Sequence, residues 1–243
     1  MRLTAFADGH KNTIPTIQLR SLLAEFTGTF LLTFFALAAY AVVGFQDAFL
    51  NQVLACLSIG GITFLAIFFL YSVSGSHFNP AISVGFFIAN RIGFRKLVAY
   101  TCTHAISGLL ATLLVFFLFS NSRNDSFLLF SKPVVPHHPE SLMLSSVCQS
   151  VMMFIVLLLF LGLTYLQKGR LYMATFMAIA IGVASFVNLS ITSYPLNPAM
   201  IAGELLLFRK HEILDAVIVW LSPFAGACMA GIIYFITFIR PVH

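Results

Sequence analysis

The chain is predicted to be an all-α integral membrane protein, with six transmembrane helices plus two re-entrant half-helices arranged as an inverted repeat. Three observations predict this. Of 243 residues, 60% are hydrophobic and only 9% charged, whereas a soluble domain carries about 25% charged residues; the mean hydropathy is +0.98. Six long apolar stretches follow one another along the chain. The tripeptide Asn-Pro-Ala occurs twice, at matching places in two halves. This composition excludes a soluble enzyme, a disordered chain and a nucleic-acid-binding domain. The formal net charge of +5 therefore reads as membrane topology rather than as a patch for DNA.

Residues 1–18 are polar and lack the apolar core of a signal peptide. They are expected to form a cytoplasmic N-terminal segment, leaving the first span in the mature protein. Apolar stretches fall at about 21–45, 52–73, 97–119, 142–166, 171–191 and 213–239. Each approaches or exceeds the ~20 residues a helix needs to cross a bilayer. They are continuously apolar rather than alternating, which argues against barrel strands. Residues 78–90 and 196–208 are apolar but too short to cross, and both contain Asn-Pro near their start. Short, Pro-interrupted segments in corresponding positions of two halves point to a transport site. The segment 120–141 is rich in Ser, Asn and Pro and reads as an extracellular loop. Its His137-His138 pair has no third ligand in view, so neither a metal nor another cofactor is expected. A single channel domain is expected over 19–239, in two repeats of about 19–119 and 142–239, followed by a tail at 240–243.

The halves correspond in detail. Asn79-Pro80-Ala81 recurs as Asn197-Pro198-Ala199, Gly85 as Gly203, and Phe94-Arg95-Lys96 as Phe208-Arg209-Lys210. Each half holds three spans, an odd number, so the two insert in opposite directions. With both termini inside, the cytoplasmic side carries Arg2, Lys11, Arg20, Arg91, Arg95, Lys96, Lys168, Arg170 and Arg240. The outer side carries Arg123, Lys132, Arg209 and Lys210. That excess obeys the positive-inside rule. Cys56, Cys102, Cys148 and Cys228 each lie in an apolar run without a CxxC pairing, and read as small buried hydrophobes.

Asn is a good helix N-cap and Pro suits the first helical turn, so one Asn-Pro means only that a helix starts. Two copies, each opening a half-length apolar segment, mean more. Half-helices entering from opposite faces can meet near the midplane. Each N-terminus carries roughly +0.5 of an elementary charge. The Asn79 and Asn197 amides offer N–H donors to a passing water or hydroxyl. Paired positive ends repel cations and break a proton wire, while uncharged solutes meet no such barrier.

These residues resemble the aquaporin and glycerol-facilitator family, the major intrinsic proteins. His77-Phe78-Asn79-Pro80-Ala81 is similar to the first signature and Leu196-Asn197-Pro198-Ala199 to the second. Ala24-Glu25-Phe26-Thr27-Gly28-Thr29-Phe30 is similar to the first-helix motif. Tyr100 and Gly108 fit the third span, and Pro223, Gly226 and Gly231 the sixth. The match covers about 19–239. It implies an aquaporin-like six-helix hourglass, a homotetramer with one pore per subunit, in the plasma membrane. Water and small neutral solutes such as glycerol or urea are the implied cargo, with the lipid bilayer as surroundings, no nucleic acid and no enzymatic activity.

The resemblance also exposes departures. The second signature of the family continues with an Arg that lines the outer selectivity constriction; here the position is Met200. Spacing from the motifs locates the other three constriction positions at Ile59, Ser185 and Tyr194. Water-selective relatives usually carry Phe, His, a small residue and Arg, and glycerol-type relatives Trp, Gly, Phe and Arg. Tyr194 leans toward the glycerol type; Ile201, where that type usually has Asp, does not. Without Arg the filter loses a fixed charge and a fork of donors, which suggests a permissive channel for neutral solutes.

Glu25, an acid inside the first span, is expected to bond to re-entrant-loop backbone rather than couple protons. Its counterpart in the fourth span is Gln149, where relatives usually have Glu, so support of the second loop is expected to differ. His77 is expected to line the cytoplasmic vestibule as a hydrogen-bonding residue, a pH gate being the sharper alternative. His104 reads as an interhelical contact. Ser107/Ala111 and Ala227/Gly231 have small-xxx-small spacing, which lets helices approach closely. Two other functions share this architecture. An ion-coupled transporter is disfavoured by the scarcity of membrane-embedded charge. A non-conducting structural protein on the same fold is kept open by the altered filter.

Overall fold

The computed structural model describes residues 18–43, 48–119, 139–192, 195–202 and 213–239. The long helices are α1 (Leu19–Val43), α2 (Ala48–Ser74), α4 (Phe94–Phe119), α5 (Pro139–Tyr165), α6 (Arg170–Thr192) and α8 (Ile213–Tyr234). The last continues as a π-helical turn over Phe235–Ile239. Among the described residues, six helices are long and apolar enough to cross a membrane. The first half-helix is α3 (Pro80–Ile88). The second, α7, is helical over 198–202, and the rest of the stretch expected to 208 lies outside the described residues. The helix starts run slightly ahead of the apolar runs. α4 begins at Phe94 and α5 at Pro139, because basic and polar residues at a helix end join the helix without joining the hydrophobic stretch.

The outside of this bundle is apolar, unlike that of a soluble one, and polar groups are buried within an otherwise apolar interior. Large apolar side chains face outward, among them Leu57, Phe69 and Phe117, while Glu25, Thr29, His104, Gln149 and Asn188 are buried. An exposed apolar surface of this extent is suited to lipid. The expectation of four buried cysteines holds for Cys56 and Cys148; Cys228 is only partly buried, and Cys102 is exposed on the outer face of α4. A membrane-facing thiol is shielded from water by lipid, so an apolar run does not reveal which side of the helix it occupies.

α1 packs against α2 and α4, α5 against α6 and α8, and α2 against α6 joins the halves. The half-helices cross over. α3 packs chiefly on α8, a span of the other half, where the Gly85 carbonyl lies against Gly231. Ala199 of α7 sits against α4 at Gly108, where any Cβ would run into the Ala199 carbonyl. Gly226 likewise lets α8 press on the Ser150 carbonyl of α5. Hydroxyls close the same seams: Ser107 Oγ donates to the Phe26 carbonyl at 2.6 Å and Ser150 Oγ to the Ser222 carbonyl at 2.8 Å. Small residues thus bring backbones together where lipid supplies no hydrophobic driving force.

Candidate functional site

Asn79 precedes α3 in extended conformation, and its Oδ1 accepts the Ala81 N–H at 2.8 Å. Asn197 repeats this at α7, its Oδ1 accepting the Ala199 N–H at 3.0 Å. In both, the side-chain oxygen is used for capping, which leaves the amide Nδ2 as the outward donor. Asn197 Nδ2 donates to the Phe78 carbonyl at 2.8 Å, tying the two loops tip to tip. Pro80 and Pro198 occupy first-turn positions, where no backbone N–H is required.

The loop before α3 is strained. Ser76 and Phe78 hold φ of 54° and 52°, and Gly75 93°. Such non-glycine residues cost on the order of 1–3 kcal/mol each and persist only when their surroundings fix them. Glu25 does so. Its Oε1 accepts the His77 N–H at 3.0 Å and its Oε2 the Phe78 N–H at 2.7 Å. His104 Nε2 donates to the same Oε2 at 2.8 Å. The Phe78 ring fills the space that a side chain at position 28 would need, so only Gly28 fits beneath it.

The second loop is fastened differently. Gln149 Nε2 donates to the Pro195 carbonyl at 3.4 Å, and Gln149 Oε1 has no hydrogen-bond partner among the described residues. Trp220 Nε1 donates to the Pro198 carbonyl at 2.9 Å. Where the first loop has its N–H groups accepted by a carboxylate, the second has its carbonyls held by donors.

Both caps open on one cavity. Its lining includes Asn79, Asn197, His77, Ile59, Ser185 and Met200, together with Thr63, Ser76, Met153, Phe160 and Met177. The space for water inside it is about 50 Å³, against the ~10–15 Å³ that one water requires. That is room for a few waters in file, not for a pool. Thr63 Oγ1 and Ser76 Oγ, on two residues that line the cavity, are buried without a hydrogen-bond partner among the described residues. Ile59, Ser185 and Met200 are thus brought together. Met200 is buried and packs with Ile59, Ala36 and Ile181. Tyr194 lies outside the described residues. Ala81 and Ala199 are buried behind the caps, and Glu25 and Gln149 stand behind the loops.

A second cavity, about 230 Å³, lies at the end marked by Lys96 and Arg91. Arg91 Nη1 donates to Tyr234 Oη at 3.1 Å and Lys96 Nζ to the Ser74 carbonyl at 3.4 Å. Reading by motif missed Thr63, Ser76, Phe160 and Trp220. Thr63 was within reach, since it follows Ile59 by one helical turn on the same face; Phe160 carried no signal as one of 27 Phe. Among the described residues no group of His, Cys, Asp and Glu has metal-site geometry; His137 and His138 lie outside them.

Comparison with known proteins bears on this arrangement. The family model described as Major intrinsic protein matches residues 13–234. Aquaporin Z of Brucella melitensis biotype 1 is 28% identical over 230 residues, covering 89% of this chain and 96% of that protein. Aquaporin Z of Photorhabdus laumondii is 24% identical over 228 residues, covering 90% and 98%. The X-ray structure of the aquaglyceroporin from Plasmodium falciparum superposes with a TM-score of 0.77 at 21% identity, over 90% of this chain and 96% of that one.

Proposed function

Because the chain belongs to the major intrinsic protein family, we propose that it is a passive channel for water and small uncharged solutes, with an outer filter that lacks a fixed positive charge. The observation that carries this reading is one narrow lumen bordered by both Asn79 and Asn197, whose loops are bonded tip to tip. A water or hydroxyl at that point accepts from the Asn amides and donates elsewhere. The positive N-terminus of α3 opposes cations.

At the filter, Ile59, Ser185, Tyr194 and Met200 take the selective positions. Ser185 Oγ is the hydroxyl among the three described members, and Met200 supplies an apolar, polarizable wall against Ile59. A solute with carbon as well as hydroxyl or amide groups, such as glycerol or urea, is better matched to that mixture than to a ring of donors. Glu25 directs both oxygens to loop N–H groups and His104. This supports a fastening role over proton coupling and favours a channel over an ion-coupled transporter. Arg20, Arg91, Arg95, Lys96, Lys168 and Arg170 fall at one end of the spans in chain order. By the positive-inside rule this end is cytoplasmic, as are both termini. A homotetramer in the plasma membrane completes the reading.

Stopped-flow light scattering on proteoliposomes tests it. Water, glycerol and urea should each equilibrate faster than in protein-free vesicles, and Met200→Arg should slow glycerol and urea more than water. Water passage without glycerol or urea would contradict the permissive filter. An unchanged profile in Met200→Arg would remove position 200 from it.

A further inference from the structure

We propose that the cavity beside Arg91 and Lys96 is an anion site suited to a phosphate group, and that its occupant stands across the inner mouth of the channel. The proposal rests on the channel reading above. The cavity measures about 230 Å³, and Arg91 and Lys96 line it together with Tyr71, Ser74 and Thr164. One water requires only ~10–15 Å³, so a tetrahedral oxyanion fits here with water around it. No Asp or Glu lines the cavity. Two cations in the wall of one cleft, with no opposite charge beside them, concentrate anions in it.

Neither cation is neutralised by a carboxylate among the described residues. The partner of Arg91 Nη1 is Tyr234 Oη at 3.1 Å. Lys96 Nζ is bonded to the Ser74 carbonyl at 3.4 Å and lies 4.9 Å from the centre of the Tyr100 ring. All of these partners are uncharged. Glu25 does not line the cavity, and its oxygens are taken by the His77 and Phe78 N–H groups and by His104. The bond to Tyr234 steadies the guanidinium at one nitrogen and leaves its other donors for two oxygens of a phosphate, the geometry this planar group matches best. Lys96 adds a compact charge with N–H groups to spare. The first turn of α4, which carries Lys96, contains no acid. Membrane topology asks for cations on this side, and the exposed Arg20, Arg95, Lys168 and Arg170, none of which lines the cavity, supply them. It does not ask that two more border the mouth of a channel for uncharged molecules. His77 lines this cavity and the central one alike, so the two adjoin, and an anion held by Arg91 and Lys96 obstructs the way into the lumen.

The first arm of the test needs no flux. The Tm of the full chain in a non-ionic detergent is followed as inorganic phosphate replaces chloride at constant ionic strength. An anion that binds the folded state raises Tm with a saturating dependence. Wild type and Arg95→Gln, the control on an exposed residue outside the cavity, should respond at the same phosphate concentration. Arg91→Gln and Lys96→Gln should each require about tenfold more, the loss expected of one charge-assisted hydrogen bond. Arg91 is exposed, so its variant keeps the test decisive if Lys96→Gln folds poorly. The second arm is stopped-flow water flux in phosphatidylcholine vesicles with phosphate on both sides. Flux should fall to about half at the concentration that half-saturates the Tm shift, and should hold near its chloride value in Arg91→Gln. Vesicles containing phosphatidylglycerol, kept in chloride, separate the two sources of the phosphate group. Flux slower than in phosphatidylcholine and relieved by Arg91→Gln makes the occupant a lipid headgroup, whereas equal flux makes it phosphate from solution. A wild-type Tm that answers phosphate no more than chloride, with equal flux in the two lipids, would overturn the site. So would a rise that both variants keep in full, which general exclusion of phosphate from the protein surface would give. Saturation that leaves flux unchanged would overturn its place on the solute's path. A wild type whose Tm responds to phosphate as expected but which passes no water even in chloride would uphold the anion site and refute the channel reading.

Discussion

Glu25 and Gln149 stand at corresponding places in the two halves and do different work. One carboxylate satisfies two loop N–H groups and His104, all buried. The amide opposite makes one long bond. A buried hydrogen-bonding group left unpaired costs about 1–3 kcal/mol. Glu25→Ala strands three such groups and also releases the strained backbone at Ser76 and Phe78. Gln149→Ala strands one carbonyl. Thermal unfolding in detergent should therefore show a large loss of Tm for Glu25→Ala and a small one for Gln149→Ala. Equal losses would mean that the two loops are supported alike. The asymmetry was legible in the sequence as a Gln at the position of an expected Glu. The compensating Trp220 was not, because a single indole in an apolar helix gives no hint of which carbonyl its N–H will find.

At the scale of elements, the long spans were readable because the bilayer sets their length, and hydropathy records it directly. The half-helices were readable because Asn-Pro marks a start and the following run is too short to cross. Where they seat was not readable from hydropathy; it depends on glycines in the other half. Gly108 accepts the Ala199 carbonyl against its bare Cα, whereas Gly61 and Gly162 have nothing within 4 Å of an added Cβ. Overpacking a close backbone contact costs typically about 1–3 kcal/mol, occasionally more. Gly108→Val should unseat α7 and lower both the yield of monodisperse protein and its water flux. Gly61→Ala should leave both within error of wild type. A tolerant Gly108→Val would show that α7 is not anchored on α4. The place of Phe160 beside the lumen escaped the sequence reading for a related reason. Phenylalanine facing lipid and phenylalanine facing a lumen look identical in an apolar run, and only three-dimensional packing separates them.

For the molecule as a whole, an apolar exterior around an interior that buries polar groups beside a narrow cavity describes a membrane protein. Two loops, each too short to span, leave a gap that side chains from both halves border. Everything proposed depends on uncharged molecules moving through that gap, down their gradients. Stopped-flow osmotic shrinkage of proteoliposomes, comparing wild type with Ser185→Trp, tests this most directly. An indole at position 185 should fill a cavity with room for only a few waters. The account predicts fast, weakly temperature-dependent water flux in wild type, reduced by Ser185→Trp to the rate of protein-free vesicles. Wild-type flux no faster than that of protein-free vesicles, or equal flux in the two proteins, would contradict it.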